Sequence, residues 1–293
     1  MKKLSFIYII LAGITWGTSG IFVNLLAPYG FSSIQLTSIR ATVSLVAIGI
    51  FILARERNSV KATPKEMLLF LGSGVTLFGT STCYYISMQA TSISTAVVLM
   101  YTAPVIVMIY SVAFLGEKLT KIKALAVLLM VIGCGLVSGI IGGLKFDLIG
   151  ILIGMLSGIC YSAYNVLTKI QMKKEIKSVS ASFYNFLITS VVSLIIANPV
   201  NLVTNASAKP SANVPLMLGL GIVTYVIPYV LYTNAMKYLP AGTASALGIV
   251  EPMAATVFSI VIFHEKLSVP SAVGIILILA AVLMLSKTDT DES

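Results

Sequence analysis

Apolar runs of about twenty residues recur along the whole chain, separated by short polar connectors. A helix that crosses a bilayer needs about 20 consecutive apolar residues. Divided on that length, the sequence predicts ten spans, at 4–27, 31–54, 67–90, 93–115, 122–141, 148–168, 179–197, 215–236, 241–263 and 269–286. The runs are continuous rather than alternating, so they predict helices and exclude the strands of a β-barrel. The longest connector is the polar stretch 198–213, too short to bury a core of its own. The expected fold class is therefore an all-α polytopic membrane protein.

Composition agrees with the pattern. Of 293 residues, 58% are hydrophobic and 10% charged, against roughly 25% charged in soluble domains. That balance excludes a soluble enzyme fold, a disordered chain and a disulfide scaffold. Arg40 and Glu251 are the two charges that fall well inside the predicted spans, while the others gather in connectors and at span ends. The net charge of +9 could suggest a nucleic-acid partner, but its distribution does not. With the N-terminus inside, 15 of the 19 Lys and Arg residues lie on the cytoplasmic side, which is the positive-inside bias. This predicts a multi-pass protein of the cell membrane with both termini cytoplasmic and no nucleic-acid partner. Lys2 and Lys3 precede an apolar run too long for a signal peptide, so that run is expected to stay as the first span. Cys83, Cys134 and Cys160 lie in spans without paired spacing and are expected to act as small packing residues.

An internal repeat organises the chain. A shift of 148 places Tyr84 on Tyr232, Thr95 on Thr243, Pro104 on Pro252, Ser111 on Ser259 and Glu117-Lys118-Leu119 on Glu265-Lys266-Leu267. A shift of 145 places Gly13 on Gly158 and Trp16 on Tyr161. The expected domains are two five-helix repeats, 1–143 and 144–293. Five is odd, so the second repeat enters the membrane from the opposite side. Inverted repeats of this kind are frequent in secondary transporters, whose halves exchange roles when the site switches sides.

Gly13-Ile14-Thr15-Trp16-Gly17, Arg40, Pro104 with Leu115-Gly116-Glu117-Lys118-Leu119, and Glu251-Pro252 with His264-Glu265-Lys266-Leu267 carry a resemblance. Together with the two five-span halves, they make the chain similar to the EamA-type transporters of the drug/metabolite transporter superfamily. The main departure is His264, where that family more often has a small or apolar residue. The resemblance implies an alternating-access carrier of small metabolites, often an exporter of amino acids or related compounds. It says nothing about the individual substrate.

Carrier sites lie near the bilayer midplane, between repeats. Span centres bring Trp16, Arg40, Tyr101, Tyr161, Tyr225 and Glu251 to that depth, with Tyr229 one turn further along. These seven are the candidate substrate-binding residues. An intramembrane charge should face the protein interior or a water-filled path. Arg40 could grip a substrate carboxylate, and Glu251 could meet an ammonium group or carry a coupling proton. Alternatively, the two pair with each other, or Arg40 is anchored on carbonyls. The rings could stack on a substrate or enclose a cation, or simply pack. Pro104, Pro228 and Pro252 are candidate helix breaks or gating points, since each frees a carbonyl four residues earlier, at Met100, Thr224 and Gly248. Gly13-x-x-x-Gly17 and Gly150-x-x-x-Gly154-x-x-x-Gly158 predict close helix contacts. Glu117 and Glu265, at span ends, are expected to cap or fix loops or to form gate ion pairs.

No phosphate-binding loop, metal-ligand spacing or nucleophile–base pair is legible, so a transported molecule is expected rather than a transformed one, with no enzyme activity, metal or cofactor. The expected function is secondary-active transport of a small molecule through the lipid bilayer, by export of amino acids or related metabolites, with proton coupling as an option. An organic-cation transporter is the alternative. A non-transporting membrane sensor or assembly partner is a third reading, from another class. Monomer and homodimer both remain open.

Overall fold

A computed structural model describes residues 2–56, 60–91, 93–137, 147–264 and 268–291. The described residues are helical, without strands. The helices are α1 (Lys2–Gly17), α2 (Ser19–Leu26), α3 (Ser33–Arg55), α4 (Pro64–Ala90), α5 (Ile93–Met100), α6 (Ala103–Phe114), α7 (Lys121–Val137) and α8 (Leu148–Lys173), followed by α9 (Ser178–Ile196), α10 (Pro199–Ala208), α11 (Pro210–Gly221), α12 (Ile227–Ala235), α13 (Ala241–Leu247), α14 (Val250–Phe263) and α15 (Val269–Asp291). Among these residues, eight helical stretches are long and apolar enough to cross a membrane. Two further apolar helices, α7 and α15, pack on each other. Glu265, Lys266 and Leu267 lie outside the described residues.

Local sequence sets the helix starts. Ser32 accepts from the Gln35 amide while the Gln35 side chain accepts from the Ser32 amide, and Thr63 and Glu66 repeat this reciprocal cap ahead of α4. Asp147 accepts from the Gly150 amide at 2.6 Å to open α8. The connector 198–213 is not loop throughout. Asn198, in a left-handed conformation, caps α10, and Pro199 occupies its first turn. Asn205 Nδ2 donates to Gly30 O at 3.0 Å, and Asn213 Nδ2 donates to Asn205 O at 2.9 Å, tying this polar helix to the turn before α3.

The main packing joins early helices to late ones. α4 lies on α8, α3 on α9, α1 on α12 and α14, α6 on α13, and α5 on α8. Two glycines let backbones approach where these helices cross. A Cβ on Gly17 would stand 2.8 Å from Ala254 Cβ and 3.0 Å from Glu251 O, and one on Gly158 would stand 2.8 Å from Thr102 Oγ1 and 2.9 Å from Leu99 O. Gly17 therefore seats α1 on α14, and Gly158 seats α8 on the α5–α6 junction.

Candidate functional site

Proline shapes the centre of the bundle. Ahead of Pro104 and Pro252 the helix stops and restarts. α5 ends at Met100 and α6 begins at Ala103, while α13 ends at Leu247 and α14 begins at Val250. Pro228 acts differently. A π-helical turn, Ile222–Val226, precedes it, and the chain stays helical through it. Pro228 has no amide hydrogen to give Thr224 O, and Arg40 Nη2 donates to that carbonyl at 3.4 Å. Gly248 O, the carbonyl four residues before Pro252, lies 3.2 Å from the Tyr101 hydroxyl.

Arg40 stands on α3, half-buried. Its Nη1 donates to Tyr85 OH at 2.9 Å, and its guanidinium carbon sits 4.6 Å from the Tyr225 ring centroid. Its buried Nε has no protein partner. Nη1 and Nη2 thus make one bond each and one face is covered, while Nε–H and a second hydrogen on each Nη remain available. Stacking on Tyr225 supplies a cation–π contact. Glu251 occupies the first turn of α14, where the helix dipole favours a negative charge. Its Oε2 accepts from Tyr101 OH at 2.7 Å. The phenol has one hydrogen, and the shorter, charge-assisted bond to Glu251 takes it in preference to Gly248 O. Arg40 and Glu251 form no ion pair with each other, although both face the same space.

That space is a cavity of about 340 Å³, within the size range of small-molecule sites. Trp16, Arg40, Tyr101, Tyr161, Tyr229, Glu251 and Pro252 line it. Tyr225 does not, because it lies beneath Arg40 as a platform, stacked in turn on Phe186 at 4.9 Å. Pro104 and Pro228 also stay out of the lining. Tyr229 is the centre of a ring cluster, edge-on to Trp16 at 5.1 Å and to Tyr225 at 4.6 Å. The structure adds Tyr84 and Tyr85 from α4, with Ser19, Asn24, Ser33, Thr80 and Ser81, to the lining. The midplane rule passes over Tyr84 and Tyr85 because they lie well past the middle of their span. Exposed Gly20 and Asn24 mark the mouth of the cavity, at the end of the bundle that carries residues 27–32.

At the opposite end, hydrogen bonds tie the helices together. Glu117 Oε1 accepts from the Ala241 amide at 2.7 Å, so Glu117 caps α13. Lys169 Nζ donates to Met236 O at 2.7 Å and to Leu239 O at 2.5 Å. Exposed His264 has a positive φ of 55° and lies away from the cavity.

The EamA-like transporter family model matches residues 3–139 and again 148–287. An uncharacterized transporter of Archaeoglobus fulgidus is 30% identical over 276 residues, covering 94% of each chain. Another uncharacterized transporter, from Clostridium kluyveri, is 26% identical and covers 95% of this chain and 91% of its own. A solved crystal structure superposes with a TM-score of 0.81 at 18% identity, covering 99% of this chain and 98% of that one, which speaks to the fold alone. With matches of this extent over both halves, the chain is a multi-pass membrane protein that belongs to the EamA-like transporter family.

Proposed function

We propose that the chain is a secondary-active, alternating-access transporter that exports amino acids or related small metabolites across the cell membrane. Its ten spans form two inverted five-helix repeats, 1–143 and 144–293. The observation that carries this reading is that Arg40 and Glu251 share one cavity without pairing, each held by its own neighbours. A cation and an anion lining one intramembrane cavity would ordinarily pair with each other. Held apart, they match a zwitterion, with the carboxylate on Arg40 and the ammonium on Glu251. The paired breaks before Pro104 and Pro252 and the reciprocal seats of Gly13 on Val250 and of Gly158 on Thr102 support the repeat.

With both termini cytoplasmic, residues 27–32 are external and the cavity opens outward. A carboxylate can balance its charge with a substrate ammonium or with a proton, but not with both at once. This exclusion at Glu251 couples substrate leaving to a proton entering. Exchange of labelled amino acids by purified protein in liposomes tests the reading, with Arg40→Ala and Glu251→Gln as the decisive variants.

A second reading draws on the rings of Trp16, Tyr84, Tyr101, Tyr161 and Tyr229, which line the same cavity as Glu251. Aromatic walls with one carboxylate suit a quaternary ammonium. In that case choline-like cations exchange, amino acids do not, and Arg40→Ala has little effect.

A further inference from the structure

Beneath the cavity floor, α8 carries a polar stripe. Tyr161 lines the cavity, and Asn165, Thr168 and Lys169 follow on the same helical face. All four are buried, Asn165 and Thr168 completely. Asn165 Oδ1 accepts from Tyr232 OH at 2.6 Å, and its Nδ2 donates to Ser245 Oγ at 3.4 Å. Across from this stripe, α6 packs on α13 and brings in Ser111 and Thr243. Both are 0% exposed, and neither hydroxyl oxygen has a protein partner. A buried hydroxyl without a protein partner carries a desolvation cost that water or a bound group relieves.

The stripe ends at a clamp on the turn between α12 and α13. Lys169 Nζ bonds Met236 O and Leu239 O, where α12 runs out of amide partners. Glu117 bonds the amides of Ala241 and Gly242, at 2.7 and 3.4 Å, where α13 begins. A cation at a helix C-terminus and an anion at an N-terminus each complement the helix dipole. Lys173 Nζ adds a bond to Leu115 O at 3.0 Å, linking α8 to the loop that carries Glu117.

We propose that this seam, from Tyr161 to Lys169 with Ser111 and Thr243 opposite, is the closed half of the permeation path, and that Glu117 and Lys169 are its latch. The proposal rests on the alternating-access reading but not on the substrate. Release of the α12–α13 turn lets α13 part from α6, and water then reaches Ser111 and Thr243. The mouth at Asn24 closes in the same transition.

Thiol accessibility tests the latch. The three native cysteines are replaced by alanine, and Thr243→Cys or Asn24→Cys is introduced into full-length protein in liposomes. A membrane-impermeant methanethiosulfonate reagent reports labelling from each side. Asn24→Cys labels readily and Thr243→Cys slowly. Adding Glu117→Gln, which keeps the side-chain volume, raises the Thr243→Cys rate by about tenfold, the shift that loss of a charge-assisted bond produces. It lowers the Asn24→Cys rate. Lys169→Met changes both rates in the same directions, while Lys118→Gln changes neither. Unchanged labelling at Thr243→Cys in both latch variants overturns the proposal. Faster labelling there without protection at Asn24→Cys means local fraying and also overturns it. Reciprocal labelling in a protein that moves no amino acid removes the substrate assignment and leaves the latch standing.

Discussion

The hydroxyl of Tyr101 donates to the carboxylate of Glu251 across 2.7 Å, joining the two broken helices at the centre of the bundle. Tyr101 stands in the gap between α5 and α6, and Glu251 stands one residue inside α14, just past the gap after α13. Both side chains line the cavity. A group that engages Glu251 therefore also acts on the junction of both broken helices, and this is how occupancy at the site can bias the whole bundle.

Tyr101→Phe keeps the ring and removes this bond. A hydrogen bond to a charged group contributes about 1.5–3 kcal/mol, so the melting temperature should fall and the exchange rate should fall by about tenfold or more. Initial rates in proteoliposomes measure it.

Arg40→Lys keeps the charge and loses both the fork that reaches Tyr85 and Thr224 and the flat contact on Tyr225. Affinity for a carboxylate-bearing substrate should weaken by about tenfold, and Arg40→Ala should weaken it further. Isothermal titration distinguishes the two. Equal affinity in wild type and Arg40→Lys would show that a point charge suffices.

Gly158→Ala puts a methyl group 2.8 Å from Thr102 Oγ1 and 2.9 Å from Leu99 O. Backbone cannot yield as a flexible side chain can, so about 1–3 kcal/mol of destabilisation is expected. Gly20→Ala meets nothing within 4 Å and should leave thermal stability near that of the wild type. A thermal unfolding series in detergent compares them.

Proton exchange at Glu251 predicts that an acid-outside pH step drives substrate out of inside-loaded vesicles of matched orientation. Glu251→Gln cannot take up that proton, so the step should no longer accelerate efflux in this variant. Flux with and without the gradient reads the difference.

Much of this arrangement was legible in the chain because lipid punishes exceptions. Arg40 and Glu251 stand out as charges where charge is costly, and they do line one cavity. The proline rule foresaw freed carbonyls at Thr224 and Gly248, and these are the ones that approach Arg40 and Tyr101. The partners themselves were not foreseeable, since contacts such as Arg40 with Tyr85 depend on how helices rotate against each other, which an almost uniformly apolar pattern does not encode. Depth along a span also misled. The cavity runs from the centre to one face, so Tyr84 and Tyr85 line it from well past the midpoint, while Tyr225, at mid-depth, ends beneath Arg40. The connector 198–213 is polar and carries no apolar periodicity, yet Asn198 and Pro199 start a helix there.

Proteoliposome counterflow of a labelled amino acid tests whether Arg40 reads a carboxylate and Glu251 an ammonium in one substrate. Unlabelled amino acid competes alongside its decarboxylated amine and its deaminated acid. Wild type should exchange the zwitterion in preference to either analogue, Arg40→Ala should lose its preference over the amine, and Glu251→Gln should lose its preference over the acid. Undiminished exchange and selectivity in both variants would rule out recognition of a zwitterion by Arg40 and Glu251.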